Sequence, residues 1–132
     1  MPDATADSLR LRLRVPGRVA AGEPVSITLR VENRTERTLT LYLVGRVIAF
    51  DLVVEDRDGA VVWRRLEDEV IQAILRLETL PPGEALVLED SWDQRSNAGE
   101  PVPPGEYRVR GELLTEGEPL AAPIERLTIL PR

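Results

Sequence analysis

Apolar and polar residues alternate with a period of two over most of this chain. Residues 9–15 alternate leucine or valine with arginine, and residues 25–32 repeat the period with valine, isoleucine and leucine on the apolar side. Successive side chains of an extended strand point to opposite faces, so each run predicts a strand with one buried face. Further strands are expected at residues 39–43, 46–56, 61–63, 74–80, 84–91, 105–114 and 121–130.

Proline and glycine separate these runs. The 11 prolines and 9 glycines lie mostly between apolar segments, which indicates short strands joined by turns. Asp58-Gly59 is typical of a tight hairpin, because glycine accepts the positive φ that such a turn requires. Residues 66–72 are the only candidate helix, and at about two turns they are too short to be stable alone. We therefore expect a crossover loop there.

This pattern predicts an all-β fold, an immunoglobulin-like antiparallel β-sandwich of eight or nine strands that residues 1–132 form as a single domain. Tyr107 stands at the start of a late strand, where its hydroxyl is expected to make a tyrosine-corner hydrogen bond to upstream backbone. Trp63 and Trp92 are expected in the core or at its rim, because aromatic residues make up only 4% of the chain.

The inventory of side chains excludes most catalytic chemistry. The chain has no Cys and no His, and all 17 basic residues are Arg because the sequence contains no Lys. A thiol nucleophile, the commonest general base and metal ligand, and a Schiff-base lysine are therefore missing together. We expect no enzymatic activity, no cofactor and no metal site.

Net charge and hydropathy predict which partners the protein does not bind and in which compartment it is found. A net charge of −6 repels polyanions, so neither nucleic acid nor an anionic membrane is expected as a partner. Residues 1–4 lack the basic and apolar regions of a signal peptide, and no apolar run approaches the length of a membrane span. We therefore expect a cytoplasmic protein.

Two acidic groups allow a cation site as well as a structural role. Residues 56–59 read Asp-Arg-Asp-Gly, like the start of a calcium loop, but valines and a tryptophan follow where further oxygen ligands would be needed, which favours a hairpin turn. Glu89, Asp90 and Asp93 surround Trp92 and either gather a cation or are solvated charges at a strand end. A sugar-binding or metal-binding sandwich is therefore a further alternative.

Basic residues near the start of the chain form a stripe of Arg10, Arg12, Arg14 and Arg18. The stripe either meets an acidic partner or protects an edge strand from pairing with another chain, and we favour the second interpretation. The nearby tripeptide Asn33-Arg34-Thr35 fits a glycosylation sequon, which we interpret as turn chemistry.

Several short motifs, in order along the chain, resemble those of the BsuPI family, the intracellular proteinase inhibitors of Bacillus. They comprise residues 27–33, Gly45-Arg46, 50–54, 58–63, 70–73, 80–84, Ser91-Trp92-Asp93 and 105–109, and together they span about residues 25–114. The chain departs from the family pattern at Arg65, Leu66 and Val70. The resemblance implies an immunoglobulin-like sandwich that binds a protein partner, a serine protease, and inhibits it.

The most promising binding segment is residues 94–104, here named the proline loop. A reversible inhibitor presents an exposed, stiff loop so that docking orders few groups, and Pro101, Pro103 and Pro104 restrict this backbone. We predict that the partner is contacted by Gln94, Arg95, Ser96, Asn97, Pro101 and Pro103, with Arg95 as the specificity side chain. The alternatives are a long connection without a partner, or a structural or adaptor domain that recognises another protein or itself; the oligomeric state is left open.

Overall fold

The structure, a computed structural model, describes residues 8–132, which form eleven β-strands. The strands are β1 (Leu9–Arg14), β2 (Arg18–Ala20), β3 (Val25–Asn33), β4 (Leu39–Val44), β5 (Phe50–Asp56), β6 (Val61–Arg64), β7 (Leu75–Leu80), β8 (Ala85–Trp92), β9 (Gly105–Leu113), β10 (Leu120–Ala121) and β11 (Glu125–Leu130). Residues 1–4, where no signal peptide is expected, lie outside the described residues. Residues 8–132 contain no helix of the length and hydropathy needed to span a membrane.

The predicted fold class is confirmed, because the strands form an immunoglobulin-like sandwich. One sheet has the order β2-β11-β9-β5-β6 with β10 added beside β9, and the facing sheet has the order β1-β3-β8. All pairs are antiparallel except β2 with β11. Nine strands have four residues or more, in agreement with the sequence, and β2 and β10 are short additions.

The period-two alternation explains the core between the sheets. Every second residue of β3, from Val25 to Val31, has no solvent exposure. Across the interface, Gly111 of β9 leaves the space that the side chains of Leu13 and Leu29 occupy, since a methyl group there would lie 2.8 Å from Leu13 Cδ1. Burial of each such aliphatic side chain contributes about 1.5–3 kcal/mol to folding. This contact brings the two sheets together at their centre.

Strands β4 and β7 form a two-stranded ribbon that continues the pair of β3 and β8 beyond the bend at residues 35–37, and its residues Leu39, Leu41, Leu43 and Leu80 are buried in the same core. β3 pairs with β8, and the next strand, β4, pairs with β7, so residues 25–44 and 75–92 run side by side. The side chain of Asn33 is buried at the bend, where its Nδ2 donates to Arg37 O (2.7 Å) and Leu80 O (2.8 Å). Its Oδ1 accepts from the backbone N and the hydroxyl of Thr35. Both Nδ2 hydrogens are used, so the sequon does serve as turn chemistry.

Most strand ends agree with the sequence prediction to within one residue, and three features differ by more. The strand expected from residue 46 begins at Phe50, because Gly45 has φ of 99° and residues 45–48 form a turn. The strand expected at 121–130 is divided into β10 and β11, with Pro123, which has no N–H to donate, between them. β2 was not expected, since three residues are too few to show alternation.

Two local predictions are confirmed. The turn between β5 and β6 is a hairpin, in which Asp56 Oδ1 accepts from the backbone N of Asp58 and Ala60, and Gly59 has φ of 86°. The connection at residues 66–72 is a turn followed by chain without regular structure, and it crosses from β6 of the six-stranded sheet to β7 of the ribbon.

Replacement of Asn33 by Ala is expected to lower the free energy of unfolding by about 3 kcal/mol, because it leaves buried backbone groups without partners. Urea denaturation followed by Trp fluorescence measures the change. Ser26→Ala, at an exposed position of the same strand, is the control and is expected to change stability by less than about 0.5 kcal/mol. Equal stability of the two variants would mean that the bend does not depend on this amide.

Candidate protein-binding surface

Two loops lie beside each other at the β6 edge of the sandwich. The proline loop follows β8, and the crossover loop, residues 65–74, follows β6 directly. Asn97 at the tip of the proline loop contacts Arg64 at the end of β6, one residue before the crossover loop begins. The two loops therefore meet at the end of β6.

The tip of the proline loop is a small hairpin closed by its own hydrogen bonds. Arg95 and Pro101 form an isolated antiparallel bridge. Inside it, Ser96 N donates to Glu100 O (2.8 Å) and Gly99 N donates to Ser96 O (2.9 Å). Because its backbone groups are paired with one another, the tip holds its shape without a partner.

Asn97 attaches this hairpin to the edge of β6. Its Oδ1 accepts from Arg64 N (2.8 Å), its Nδ2 donates to Arg64 O (3.0 Å), and its backbone N donates to Val62 O (3.2 Å). The amide side chain therefore replaces a neighbouring strand, which protects the edge of β6 from pairing with another chain.

Gln94 fixes the base of the loop from inside. Its side chain is 3% exposed, and its backbone φ of 63° is unusual for a residue other than glycine. Its Nε2 donates to Ala20 O (2.8 Å) and Glu23 O (2.7 Å), and its Oε1 accepts from Gly22 N (3.1 Å). These three bonds hold the left-handed backbone and join the loop to the connection that precedes β3.

Aromatic residues fill the space under the loop. Trp92 is 1% exposed and donates from Nε1 to Arg95 O (2.8 Å), while Trp63 stacks on it with ring centroids 5.9 Å apart. Trp92 thus lies in the core and the half-buried Trp63 at its rim, as predicted. The hydroxyl of Tyr107 donates to Pro103 O, which confirms the tyrosine corner. Burial and the charge of Asp56 raise the pKa of Tyr107, so this donor keeps its proton.

The residues predicted to contact a partner occupy three different environments. Arg95, Asn97, Pro101 and Pro103 are exposed, Ser96 is half-buried, and Gln94 is buried. The Arg95 guanidinium folds back and donates to Gly99 O (3.0 Å). Gln94 therefore positions the loop, and its side chain is not on the surface.

The crossover loop is held at its start by two charged contacts. Asp51, which is 5% exposed, accepts from Leu66 N (3.1 Å) and from the Arg64 guanidinium (3.1 Å). The guanidinium of Arg65 lies 3.8 Å from the centre of the Phe50 ring and pairs with Asp90 at 2.8 Å. These contacts fix the first turn of the loop against β5 and β8.

A groove of about 380 Å³ separates the crossover loop from the turn at residues 45–49. Val47 and Val70, on its two walls, are 74% and 89% exposed. Sequence reasoning named Val70 only as a departure from the family pattern, did not name Val47, and selected neither as a contact residue. The available signal was an apolar residue directly after Glu67-Asp68-Glu69, outside any strand alternation.

Of the three acidic residues around Trp92, two have partners within the protein and Glu89 is exposed. Asp90 pairs with Arg65, and Asp93 Oδ1 accepts from Arg95 N (3.0 Å). Within residues 8–132, no group of three or more acidic, His or Cys side chains is arranged to hold a metal ion. In the basic stripe, Arg10, Arg12 and Arg14 are exposed on β1, an edge strand of its sheet.

Comparison with known families agrees with the resemblance in the sequence. The model of the BsuPI family, described as intracellular proteinase inhibitor, matches residues 16–118. This chain belongs to the BsuPI family. The match includes both the crossover loop and the proline loop. No curated protein matches the chain in sequence.

Solved structures share the fold with this BsuPI member. A β-glucosidase from Listeria innocua in complex with gluconolactone has a TM-score of 0.51 and 12% identity over 92% of this chain and 16% of that one. A β-glucosidase from Erythrobacter marinus has a TM-score of 0.51 and 14% identity over 93% and 15%. The CARDB domain of the PF1109 protein from Pyrococcus furiosus has a TM-score of 0.48 and 16% identity over 92% and 87%. The chain spans less than a fifth of either glucosidase, and at these identities the likeness concerns the fold alone.

Replacement of Asn97 by Ala is expected to speed hydrogen exchange of the Arg64 amide by about 10-fold, because the Arg64 N–H loses its acceptor, Asn97 Oδ1. Asn97→Asp is the matched control, since it retains an oxygen acceptor and should keep this amide protected. NMR exchange rates measure both. Identical rates in the wild type and Asn97→Ala would show that the side chain does not hold the loop on β6.

Proposed function

We propose that this protein is a reversible inhibitor of a serine protease, that it acts in the cytoplasm, and that it carries out no chemistry of its own. Membership of the BsuPI family supports a protease as the partner. The observation that carries the proposal is an exposed loop at the β6 edge that is closed by its own hydrogen bonds. Such a loop is already ordered before it meets an enzyme.

The free energy of binding depends on this order. Immobilising a flexible side chain or loop on association costs about 0.5–1.5 kcal/mol per side chain, and a rigid loop avoids much of that cost. Here Asn97 holds the tip to β6 and Gln94 holds the base. We propose that Arg95, Ser96, Asn97, Pro101 and Pro103 contact the protease, with Gln94 in support beneath them.

The enzyme's side of the interface is expected to be neutral or basic. The chain has a net charge of −6, and Glu67, Asp68 and Glu69 stand exposed on the adjoining crossover loop. Complementary charge on the protease would raise the rate of association, and salt would lower it. The same charge argues against nucleic acid or an anionic membrane as the partner.

The purified protein is expected to inhibit a serine protease of the subtilisin or trypsin type at micromolar concentration, in a stoichiometric and reversible manner. Initial rates on a peptide substrate measure the inhibition, and dilution tests reversibility. Full activity of every such protease at micromolar protein would remove the proposal.

Arg95 lies on the proposed contact surface, and Arg108 is an exposed arginine on β9. Arg95→Ala is expected to weaken inhibition by about 10-fold if its guanidinium is a contact, whereas Arg108→Ala leaves inhibition unchanged. Equal inhibition constants for the two variants would show that Arg95 does not contact the protease.

A second candidate function, self-association, is favoured by β7. Within the described residues only β4 pairs with this strand, so its other edge is open. Leu75 and Leu77 point outward and are 53% and 58% exposed. A second copy added antiparallel and centred on Leu77 would place Arg76 of each chain opposite Glu78 of the other, which is a self-complementary arrangement.

Light scattering at high protein concentration tests this candidate. The wild type is expected to form dimers, and Leu77→Glu and Leu77→Arg are each expected to be monomers because like charges would face each other at the two-fold axis. An equimolar mixture of the two variants is expected to dimerise again. Val87→Glu, at an exposed valine of β8, is the control, and a wild type that stays monomeric would exclude this mode of association.

A further inference from the structure

The crossover loop carries the most exposed large hydrophobic side chain of residues 8–132. Val70 is 89% exposed, above the next exposed valine, Val47, at 74%. A β-branched aliphatic side chain in water gains free energy when a pocket encloses it, by about 1.5–3 kcal/mol. Nothing in the described part of the chain encloses Val70.

The backbone around Val70 is also free. From residue 69 to residue 72 the chain has no regular structure and negative φ, and Ile74 N then donates to Gln72 O (2.8 Å), which closes a tight turn at Ala73. Within residues 8–132, no hydrogen bond engages the backbone groups of Val70 or Ile71. Unpaired donors and acceptors on an extended segment are what a strand of another protein requires for pairing.

Both ends of this segment are anchored. On one side Asp51 accepts from Leu66 N and Glu69 N donates to Leu66 O (3.1 Å). On the other side the side chain of Ile71 packs against Gly45 and Gly45 N donates to Ile74 O (3.0 Å).

Gln72 adds a further anchor, since its Oε1 accepts from Arg46 Nε (2.9 Å). Ile71 and Val70 both line the groove, but Ile71 packs against Gly45 and is half-buried, whereas Val70 is exposed to solvent. The segment is thus displayed at its middle and fixed at its ends.

We propose that Val70 is the specificity residue of the inhibitor. Its side chain enters the pocket of a serine protease in which a substrate places the side chain just before the scissile bond. This inference rests on the proposed function. Serine proteases select their substrates by the shape and charge of that pocket. The pocket is small and apolar in elastase-like enzymes and contains an Asp in trypsin-like enzymes. Valine fits the small apolar pocket.

Arg95 is less suited to the same task. Its guanidinium already donates to Gly99 O, and its backbone is bridged to Pro101 within a closed hairpin. Insertion of Arg95 into a pocket would break the bond to Gly99 O, whereas insertion of Val70 breaks no contact. The proline loop then contacts the enzyme beside the pocket and does not enter it.

The residues before Val70 specify the partner further. Glu67, Asp68 and Glu69 are exposed, and in the described part of the chain their carboxylates take part in no ion pair. A target protease therefore carries basic residues along the side of its cleft that binds the chain before the scissile bond. Long-range attraction between these charges accelerates association and weakens as salt is added.

The test measures inhibition constants of the full chain against elastase-type, trypsin-type and subtilisin-type proteases. The wild type is expected to inhibit elastase-type enzymes best. Val70→Gly is expected to lose about 100-fold against them. Val70→Arg is expected to lose inhibition of the elastase type and to gain inhibition of the trypsin type.

The matched control is Ile124→Arg, which makes the same kind of change at an exposed β-branched residue before β11. It is expected to leave all constants as in the wild type, and thermal unfolding verifies that each variant is folded. Inhibition by the wild type with unchanged constants for both Val70 variants would overturn the role of Val70 and leave the inhibitor function standing. Absence of inhibition of any serine protease by the wild type would instead overturn the proposed function, and this inference with it.

Discussion

The side chain of Asn33 joins the loop at residues 35–37 to the end of β7, while its backbone continues the ladder toward β8. At this point the pair of β3 and β8 in the three-stranded sheet passes into the two-stranded ribbon of β4 and β7. Because β7 pairs with β4, the chain after β6 has to cross from the six-stranded sheet to this ribbon. The long crossover loop makes that crossing, and a groove lies between it and the turn at residues 45–49.

The two loops at the β6 edge are held by different means, and this difference determines what each can offer a partner. The proline loop satisfies its own backbone and is attached through the amides of Gln94 and Asn97, so its shape is fixed and its polar groups are used. The crossover loop is fixed only at its two ends. Its middle keeps free backbone groups and the exposed side chain of Val70. A rigid loop beside a displayed segment suits binding to an enzyme cleft, because little order has to be gained on docking.

Much of the fold is predictable from this sequence, because a strand with one buried face leaves a period-two signal. The nine longer strands, the Asp58-Gly59 hairpin and the tyrosine corner of Tyr107 each depend on residues close together in the chain. Gln94 was predicted to lie on the surface, but it is buried. Its three hydrogen bonds reach residues 20–23, about seventy positions away in the chain. No local pattern in the sequence records such a contact. Val70 lies in a segment without periodicity, and its exposure depends on the contacts that hold the crossover loop against Gly45 and Arg46, more than twenty positions away.

The central claim is that the β6 edge, with its two loops, is the surface that meets a protease. Hydrogen exchange of the whole chain, measured alone and in complex with a serine protease that it inhibits, tests this most directly. The account predicts that amides of residues 69–73 gain protection in the complex, together with those at the tip of the proline loop, while the open edge of β7 exchanges as before. Protection confined to β7 or to the basic stripe on β1, with both loops unchanged, would contradict it.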